Sequence, residues 1–121
     1  MDPVLLTDVT LREHGQNVPS AALDLFTPAR RGAFARSLAQ AGVRRMEIVS
    51  CVHPRVAPAM ASEPLRATLE ASGDLGRVEV VTLVPNQRGY DAFIEHDLGP
   101  GGRGHTAGVF HSAMDEHNIA N

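Results

Sequence analysis

The chain has 121 residues, which is enough for one domain with a substantial core but short for two. Hydrophobic residues make up 43% and charged residues 21%, an ordinary balance for a globular protein, and the formal net charge is −3. The 11 basic residues are scattered along the sequence, which argues against a nucleic-acid-binding face.

Cysteine usage and hydropathy predict a cytoplasmic protein. The single cysteine, Cys51, excludes an internal disulfide and fits a reducing compartment. The N-terminal stretch MDPVLLTD carries an acid at position 2 and lacks the basic region of a signal peptide. No apolar run approaches the roughly 18 residues of a membrane span, so we expect no membrane partner.

The expected elements alternate between strands and helices. The apolar run 4–9 predicts a first strand, and Thr27-Pro28 predicts the start of a helix that ends near Gly42. The remaining expected elements are a strand over 44–51, a helix over about 62–71, a strand over 78–84, a helix over about 87–95 and, after the break GPGGRG, a strand over 105–112. Strands that are apolar on both faces favour a parallel sheet covered by helices. The predicted fold class is therefore α/β, as a doubly wound open sheet or as part of a (β/α)₈ barrel.

The placement of polar residues along the strands favours the barrel. Side chains alternate along a strand, so Asp8, Thr10 and Arg12 are expected to share one face. Glu47 lies within the second strand, and Asn86 follows the third. Polar residues thus gather toward the carboxyl ends of the strands, where barrel enzymes carry their sites. In an open sheet, an isolated glutamate within a strand is costly unless it is paired.

Three segments carry a resemblance to a known family. DVTLREHGQ (8–16), MEIVSCVHPRVAPAM (46–60) and LVPNQRGYDAF (83–93) are similar to the 3-hydroxy-3-methylglutaryl-CoA lyase family. More broadly, the chain resembles the metal-dependent lyases and Claisen-type synthases that share a pyruvate-carboxyltransferase-like domain. The resemblance covers essentially the whole chain. It implies a (β/α)₈ TIM barrel, a divalent cation such as Mg²⁺ or Mn²⁺, and cleavage or formation of a carbon–carbon bond beside an acyl-CoA thioester.

The resemblance also implies roles for particular residues. In the family, the arginine after the first strand stabilises the enolate oxygen and the acid beside it binds the metal; the matching residues are Arg12 and Glu13. Glu47 matches a glutamate in the active-site interior, and is expected to be catalytic together with Arg12. We expect Gln16 and Asn86, with Arg12, to contact the substrate.

Two departures from the family pattern shape the hypothesis. The lyases usually have Asp where this chain has Glu13, whereas T-L-R-E is frequent among the condensing synthases. The late His-x-His pair of the family is missing, and Cys51 is not placed to match its late cysteine. A typical barrel has about 250 residues, so residues 1–121 correspond to the N-terminal half of one, truncated after strand 4. We therefore expect weak metal binding by this chain alone, and self-association or a partner chain that completes the barrel.

Carbon–carbon cleavage beside a thioester requires a cation, oxygen ligands for a metal and a base, whatever the family. A guanidinium stabilises the negative charge that develops on a thioester oxygen during carbon–carbon cleavage, which suits Arg12. A hard cation with oxygen ligands such as Glu13 lowers the pKa of a substrate hydroxyl, and Glu47 or a histidine is then available as the base. Structural roles are the alternatives. Arg12 and Glu13 would form a solvated pair, Glu47 would be a structural partner of Arg12 across the barrel interior, Asn86 would cap a helix, and Gln16 would fix its own loop.

Three functional hypotheses follow. The first is a lyase that cleaves a 3-hydroxy-acyl-CoA to acetyl-CoA and an oxo acid. The second is a non-catalytic truncated homologue of that family. The third is an acyltransferase of the homocitrate or isopropylmalate synthase type, which runs the reaction toward condensation.

Overall fold

The computed structural model describes residues 3–95 and 106–109. Its helices are α1 (Thr10–Asn17), α2 (Pro28–Gln40), α3 (Ser62–Ser72) and α4 (Gln87–Glu95). Its strands are β1 (Arg45–Ser50), β2 (Glu79–Val84) and β3 (Thr106–Val109), and two short 3₁₀ segments span Ser20–Leu25 and Pro58–Met60. Strands and helices alternate from β1 to β3, which confirms the predicted α/β class.

The strands form one parallel sheet in the order β1-β2-β3. Helices α3 and α4 lie between consecutive strands in the sequence, as parallel crossovers require. On the free side of β1, Asp8 forms a parallel bridge with Met46, so the neighbours follow chain order across four segments. A doubly wound sheet reverses its strand order, whereas a barrel does not, so this order is that of a segment of a (β/α)₈ barrel.

The first expected strand is reduced to the bridge at Asp8. The Asp8 backbone donates to Arg45 O at 3.0 Å and accepts from Glu47 N at 2.8 Å. The Asp8 carboxylate then accepts hydrogen bonds from Thr10 N at 3.0 Å and Thr10 Oγ1 at 3.2 Å. These local bonds turn the chain out of the extended conformation and into α1. The predicted strand face shared by Asp8, Thr10 and Arg12 is therefore wrong, because Thr10 and Arg12 are helical.

Helix α2 begins as the sequence predicts. Thr27 is its N-cap, with the hydroxyl accepting from Arg30 N at 3.3 Å, and Pro28 occupies the first helical position. Gly42 follows the helix with φ of 101°, a left-handed conformation that favours glycine. The helix packs closely on α3, because a Cβ built on Gly32 would lie only 2.5 Å from the carbonyl carbon of Ala71.

The core lies between β1 and the helices that cover it. Its buried members include residues from β1, α1, α2 and the segment that follows β1: Leu11, Ala35, Met46, Ile48, Val49, Cys51, Ala57 and Met60. Burial of these side chains is the main stabilising contribution to the fold, at about 25 cal/mol per Å² of apolar surface. One charged side chain, Arg31 of α2, is buried as deeply as the apolar ones.

Two expectations concern the limits of the described region. The fourth expected strand is present as β3 over Thr106–Val109, while the rest of that prediction and the glycine-rich break before it lie outside the described residues. Among the helices of the described part, none combines the length and the apolar character needed to cross a bilayer.

Candidate active site

Helix α1 brings three of the predicted residues together beside the carboxyl end of β1. Arg12, Glu13 and Gln16 lie on α1, and Glu47 and Ser50 lie on β1. Leu11 and Gly15 form the buried side of the helix, which leaves the adjoining Arg12 and Gln16 side facing β1. We call Arg12, Glu13, Gln16, Glu47 and Ser50 the Arg12 cluster.

The guanidinium of Arg12 is held from three directions. Its Nε donates to Glu47 Oε2, Nη1 donates to Gln16 Oε1 at 3.0 Å, and Nη2 lies 3.0 Å from Glu13 Oε1. The Arg12 side chain is 14% exposed and that of Glu47 is 20% exposed, so the pair is only partly screened by water. An arginine has five N–H donors in a planar fork, and these contacts fix the plane of that fork.

Gln16 connects the helix to the strand a second time. Its amide oxygen accepts from Arg12, and its Nε2 donates to Ser50 Oγ at 3.4 Å. Gln16 is partly buried and links Arg12 to Ser50 of β1, which helps to hold the Arg12 side chain in place. Ser50 was not predicted from the sequence, because strand alternation places it on the opposite face from Glu47.

A β-bulge explains how Glu47 and Ser50 both reach the cluster. Between Glu47 and Val49, β1 advances two residues while β2 advances one. Such a bulge adds an unpaired residue and re-aims the side chains that follow it. Strict alternation, on which the sequence prediction rested, therefore stops at Glu47.

A divalent cation would meet one predicted ligand in the Arg12 cluster, Glu13. Glu13, the predicted ligand, is 53% exposed and is paired with Arg12. Within the described residues, no group of three or more His, Cys, Asp or Glu side chains is arranged to hold a metal ion. The described residues therefore do not make up a metal site by themselves, and a single exposed carboxylate binds such a cation weakly.

Asn86 occupies a different position from the cluster. Its Oδ1 accepts from Gly89 N at 2.9 Å, and its backbone carbonyl accepts from Tyr90 N at 3.0 Å. Asn86 therefore caps the start of α4, which was the structural alternative for this residue. No hydrogen bond or ion pair within the described part of the chain joins it to the Arg12 cluster.

Cys51 follows β1 directly but is not a reactive group. It is buried, and burial raises the pKa of its thiol to about 11. A thiol with that pKa is almost entirely protonated at neutral pH and is a poor nucleophile. Its role in the described structure is that of a small apolar side chain packed in the core.

Comparisons with known proteins give two matches, and no family model matches the chain. The (R)-citramalyl-CoA lyase of Chloroflexus aurantiacus is 37% identical over 99 residues, which is 75% of this chain and 30% of that protein. The structure of the HMG-CoA lyase of Bacillus subtilis superposes with a TM-score of 0.63 and 29% identity, over 95% of this chain and 35% of that one. The chain thus spans about a third of the length of the proteins it matches.

Proposed function

The chain belongs to the HMG-CoA lyase-like family, and on that premise we propose that it forms part of a carbon–carbon lyase site acting on a 3-hydroxy-acyl-CoA. The substrate class is supported by the two matches, which are both CoA lyases. The products are acetyl-CoA and an oxo acid.

The observation that carries this proposal is the way in which Arg12 is held. Three of its five N–H donors are engaged by Glu47, Gln16 and Glu13, which leaves one on each terminal nitrogen. The remaining donors of a fixed guanidinium suit a thioester oxygen that gains negative charge. Donors that are already oriented stabilise this charge without reorganising during the reaction.

The proposed cleavage breaks one carbon–carbon bond of the substrate. The bond between the carbon beside the thioester and the hydroxyl-bearing carbon breaks, and its electron pair passes to the thioester as an enolate. The hydroxyl proton leaves to a base as that oxygen becomes a carbonyl, and a proton then converts the enolate to the acetyl thioester. We assign Arg12 to the enolate oxygen, Glu47 to fixing Arg12 and offering the carboxylate for the hydroxyl proton, and Gln16 to substrate contact and to supporting Arg12.

The metal dependence of the family is proposed for this chain only in a weak form. Glu13 is the one predicted ligand in the cluster, and it also neutralises part of the charge of Arg12. We therefore propose that the chain alone binds Mg²⁺ or Mn²⁺ weakly through Glu13. Electron paramagnetic resonance of added Mn²⁺ tests this directly, with Glu13→Ala expected to abolish binding and Glu70→Ala, at an exposed position of α3, to leave it unchanged.

Release of acetyl-CoA from (R)-citramalyl-CoA and from 3-hydroxy-3-methylglutaryl-CoA, with Mg²⁺ or Mn²⁺ present, tests the lyase proposal. Arg12→Lys keeps the charge but loses the planar fork, so we expect kcat/KM to fall by roughly 10²–10³. Arg66→Lys is the matched control, because Arg66 is 55% exposed on α3 and pairs with Glu70. An equal loss in both variants, or no loss in Arg12→Lys, contradicts the role of Arg12.

A non-catalytic homologue is the second candidate, and one observation favours it. The described residues lack a set of three metal-binding side chains, although the family is metal-dependent in general. This candidate predicts no acetyl-CoA release at any Mn²⁺ concentration, together with Mn²⁺ binding that is indifferent to Glu13→Ala. The condensing alternative, which the T-L-R-E sequence favours, predicts free CoA from acetyl-CoA and an oxo acid in the same assay.

We also propose that a second copy of the chain covers the exposed segment before α1. Val4, Leu5 and Leu6 are 85%, 57% and 78% exposed, and this stretch lies at the edge next to the Asp8 bridge. An exposed apolar edge invites pairing with another chain. Sedimentation velocity over a concentration series is expected to show dimers that Leu6→Glu weakens; a monomer at all concentrations contradicts the proposal.

A further inference from the structure

Arg31 of α2 is a buried cation that the Arg12 cluster does not use. Its side chain is 1% exposed, and burial lowers the pKa of Arg31 to about 10. Among the side chains that the structure describes, no carboxylate lies within ion-pair distance of it. A charge buried without a counter-ion costs free energy, so its presence calls for a physical reason.

The side-chain hydrogen bonds of Arg31 go to the segment after β1, and its ring contact is to Phe26, two residues before the start of α2. Nη1 donates to the Ala59 carbonyl at 2.9 Å, and Nη2 lies 3.5 Å from Met60 Sδ, a weak acceptor. The guanidinium carbon stacks 4.9 Å from the centre of the Phe26 ring. Nε has no hydrogen-bond partner among the described residues. Arg31 thus holds the Pro58–Met60 segment in place and gains little else from its burial.

Met60 passes this constraint on to α1. A Cβ built on Gly15 would lie 1.9 Å from Met60 Cε and 3.3 Å from Phe26 Cε1, so the methionine tip lies directly on the backbone of α1. Gly15 is one turn beyond Leu11, on the buried side of the helix that adjoins the side bearing Arg12. A shift of Met60 therefore changes how α1 packs on the Pro58–Met60 segment, which we call the seating of α1, and with it the position of Arg12.

We infer that Arg31 is a positioning residue for Arg12, acting through Met60 and Gly15 on the seating of α1. Its catalytic consequence rests on the proposed lyase function, whereas its structural part stands without it. The Arg31 side chain has no hydrogen bond or ion pair with the Arg12 cluster in the described structure, since its hydrogen bonds and ring contact are to Ala59, Met60 and Phe26.

A role in stability alone is the competing explanation, and the contacts argue against it. A methionine has a similar length and fills the same apolar space without desolvating a charge, and replacing a buried charge by an apolar side chain is often neutral or stabilising. Arg31→Met is therefore expected to fold with a Tm within about 4 °C of the wild type. What it removes is the directional contact that fixes Ala59 and Met60.

The signal of the Arg12 Nε–H group in a ¹H–¹⁵N correlation spectrum reports on the inference without any activity. The chain has 11 arginines and no lysine, and Arg12→Lys identifies the signal by its loss. In Arg31→Met we expect the Arg12 signal to move toward that of exposed Arg66 and the α1 amides to exchange at least ~10-fold faster. Arg30→Met is the matched control, because Arg30 is the exposed neighbour on the same helix, and it is expected to change neither.

The catalytic part uses the same variants in the acyl-CoA assay. Arg31→Met is expected to lower kcat by ~10-fold or more with KM within about twofold, because small misplacements of a catalytic group act on the chemical step. Arg31→Lys, which keeps one donor for the Ala59 carbonyl, is expected to restore part of the loss. If the wild type shows no activity, the lyase proposal fails while the Arg12 signal still tests the seating of α1.

An unchanged Arg12 signal in folded Arg31→Met overturns the inference, whatever the activity. If Arg31→Met does not fold, Met60→Leu decides: it keeps the buried cation and removes both the sulfur that Arg31 contacts and the terminal methyl group that lies against Gly15 of α1. A moved Arg12 signal in Met60→Leu supports the inference, and an unmoved one overturns it.

Discussion

Two helical arginines of this chain, Arg12 and Arg31, carry the same charged group in opposite surroundings. Arg12 is partly exposed and has two carboxylates against its guanidinium, from Glu13 and Glu47. Arg31 is buried, and its partners are a carbonyl, a thioether and an aromatic ring. The first charge is held in place at a surface where a ligand can meet it, and the second is enclosed.

The difference separates two uses of a guanidinium. Carboxylates orient Arg12 while leaving two of its N–H donors unengaged by the cluster, which suits recognition of an anionic oxygen. The charge of Arg31 lies inside the protein, where desolvation disfavours it. Its contacts hold the Pro58–Met60 segment, on which α1 packs through Met60 and Gly15. The proposed electrostatic role of Arg12 and the inferred positioning role of Arg31 thus fall to two residues of one type.

Gly32→Ala, next to Arg31 on α2, is expected to lower the unfolding free energy more than any other change considered. The new Cβ would meet the backbone of Ala71 at 2.5–2.7 Å, and backbone atoms cannot swing aside as a side chain can. We expect a loss of about 2–3 kcal/mol in unfolding free energy by urea titration, after the gain in helix propensity. Gly15→Ala is the contrast: it meets the flexible tip of Met60, and is expected to lose less than half as much.

Replacing each arginine by methionine sharpens the comparison. Arg12→Met leaves Glu47, 20% exposed, without its cation, and is expected to cost about 2 kcal/mol. Arg31→Met is expected to change the unfolding free energy by less than about 1 kcal/mol or to raise it, since no carboxylate in the described region is left unpaired. Urea titrations of both variants at neutral pH measure the difference, and the reverse order of stabilities contradicts the account given for the two charges.

The sequence predicted the regular core of the fold well. The N-cap and first residue of α2, the bounds of β1 and β2 to within two residues, and the span of α4 all follow from local signals. These elements combine clear apolar runs with caps or prolines, so local preference and tertiary packing agree. The contact between Arg12 and Glu47, considered as a structural alternative, is confirmed, while the catalytic roles of both remain predictions.

The sequence failed where packing decides the conformation. The stretch 10–17 is rich in polar residues and contains Gly15, so its apolar pattern does not indicate a helix. The bonds from Thr10 to the Asp8 carboxylate and the burial of Leu11 and Gly15 against neighbouring segments set it. The bulge in β1 invalidates alternation after Glu47, which hid Ser50. Arg31 and its exposed neighbour Arg30 are indistinguishable in the sequence, because only the fold tells them apart.

Alkaline pH tests whether burial of the Arg31 charge is a cost. A cation whose folded pKa is lowered from its ordinary value to about 10 binds fewer protons in the folded state, so its cost is fully present below pH 10 and is relieved as the pH rises above 10. The wild type is thus expected to gain about 1.4 kcal/mol relative to Arg31→Met between pH 8 and pH 11. Urea titrations of both proteins at each pH give the difference between their unfolding free energies, from which the contributions of the other titrating groups cancel. A difference that stays constant with pH contradicts the lowered pKa.

Asn86, which belongs to neither arginine's surroundings, carries the smallest expected effect and separates a helix cap from a substrate contact. Asn86→Ala removes the acceptor for Gly89 N and is expected to cost about 1 kcal/mol in unfolding free energy. Asn86→Asp keeps that acceptor and places a negative charge at the N-terminus of α4, so it should restore the stability. A cap role further predicts that kcat/KM in Asn86→Asp equals that of the wild type, because no bond joins Asn86 to the Arg12 cluster in the described structure. A fall in kcat/KM with stability preserved contradicts a role confined to the cap, since the cap is intact in that variant while the amide group has been replaced by a carboxylate.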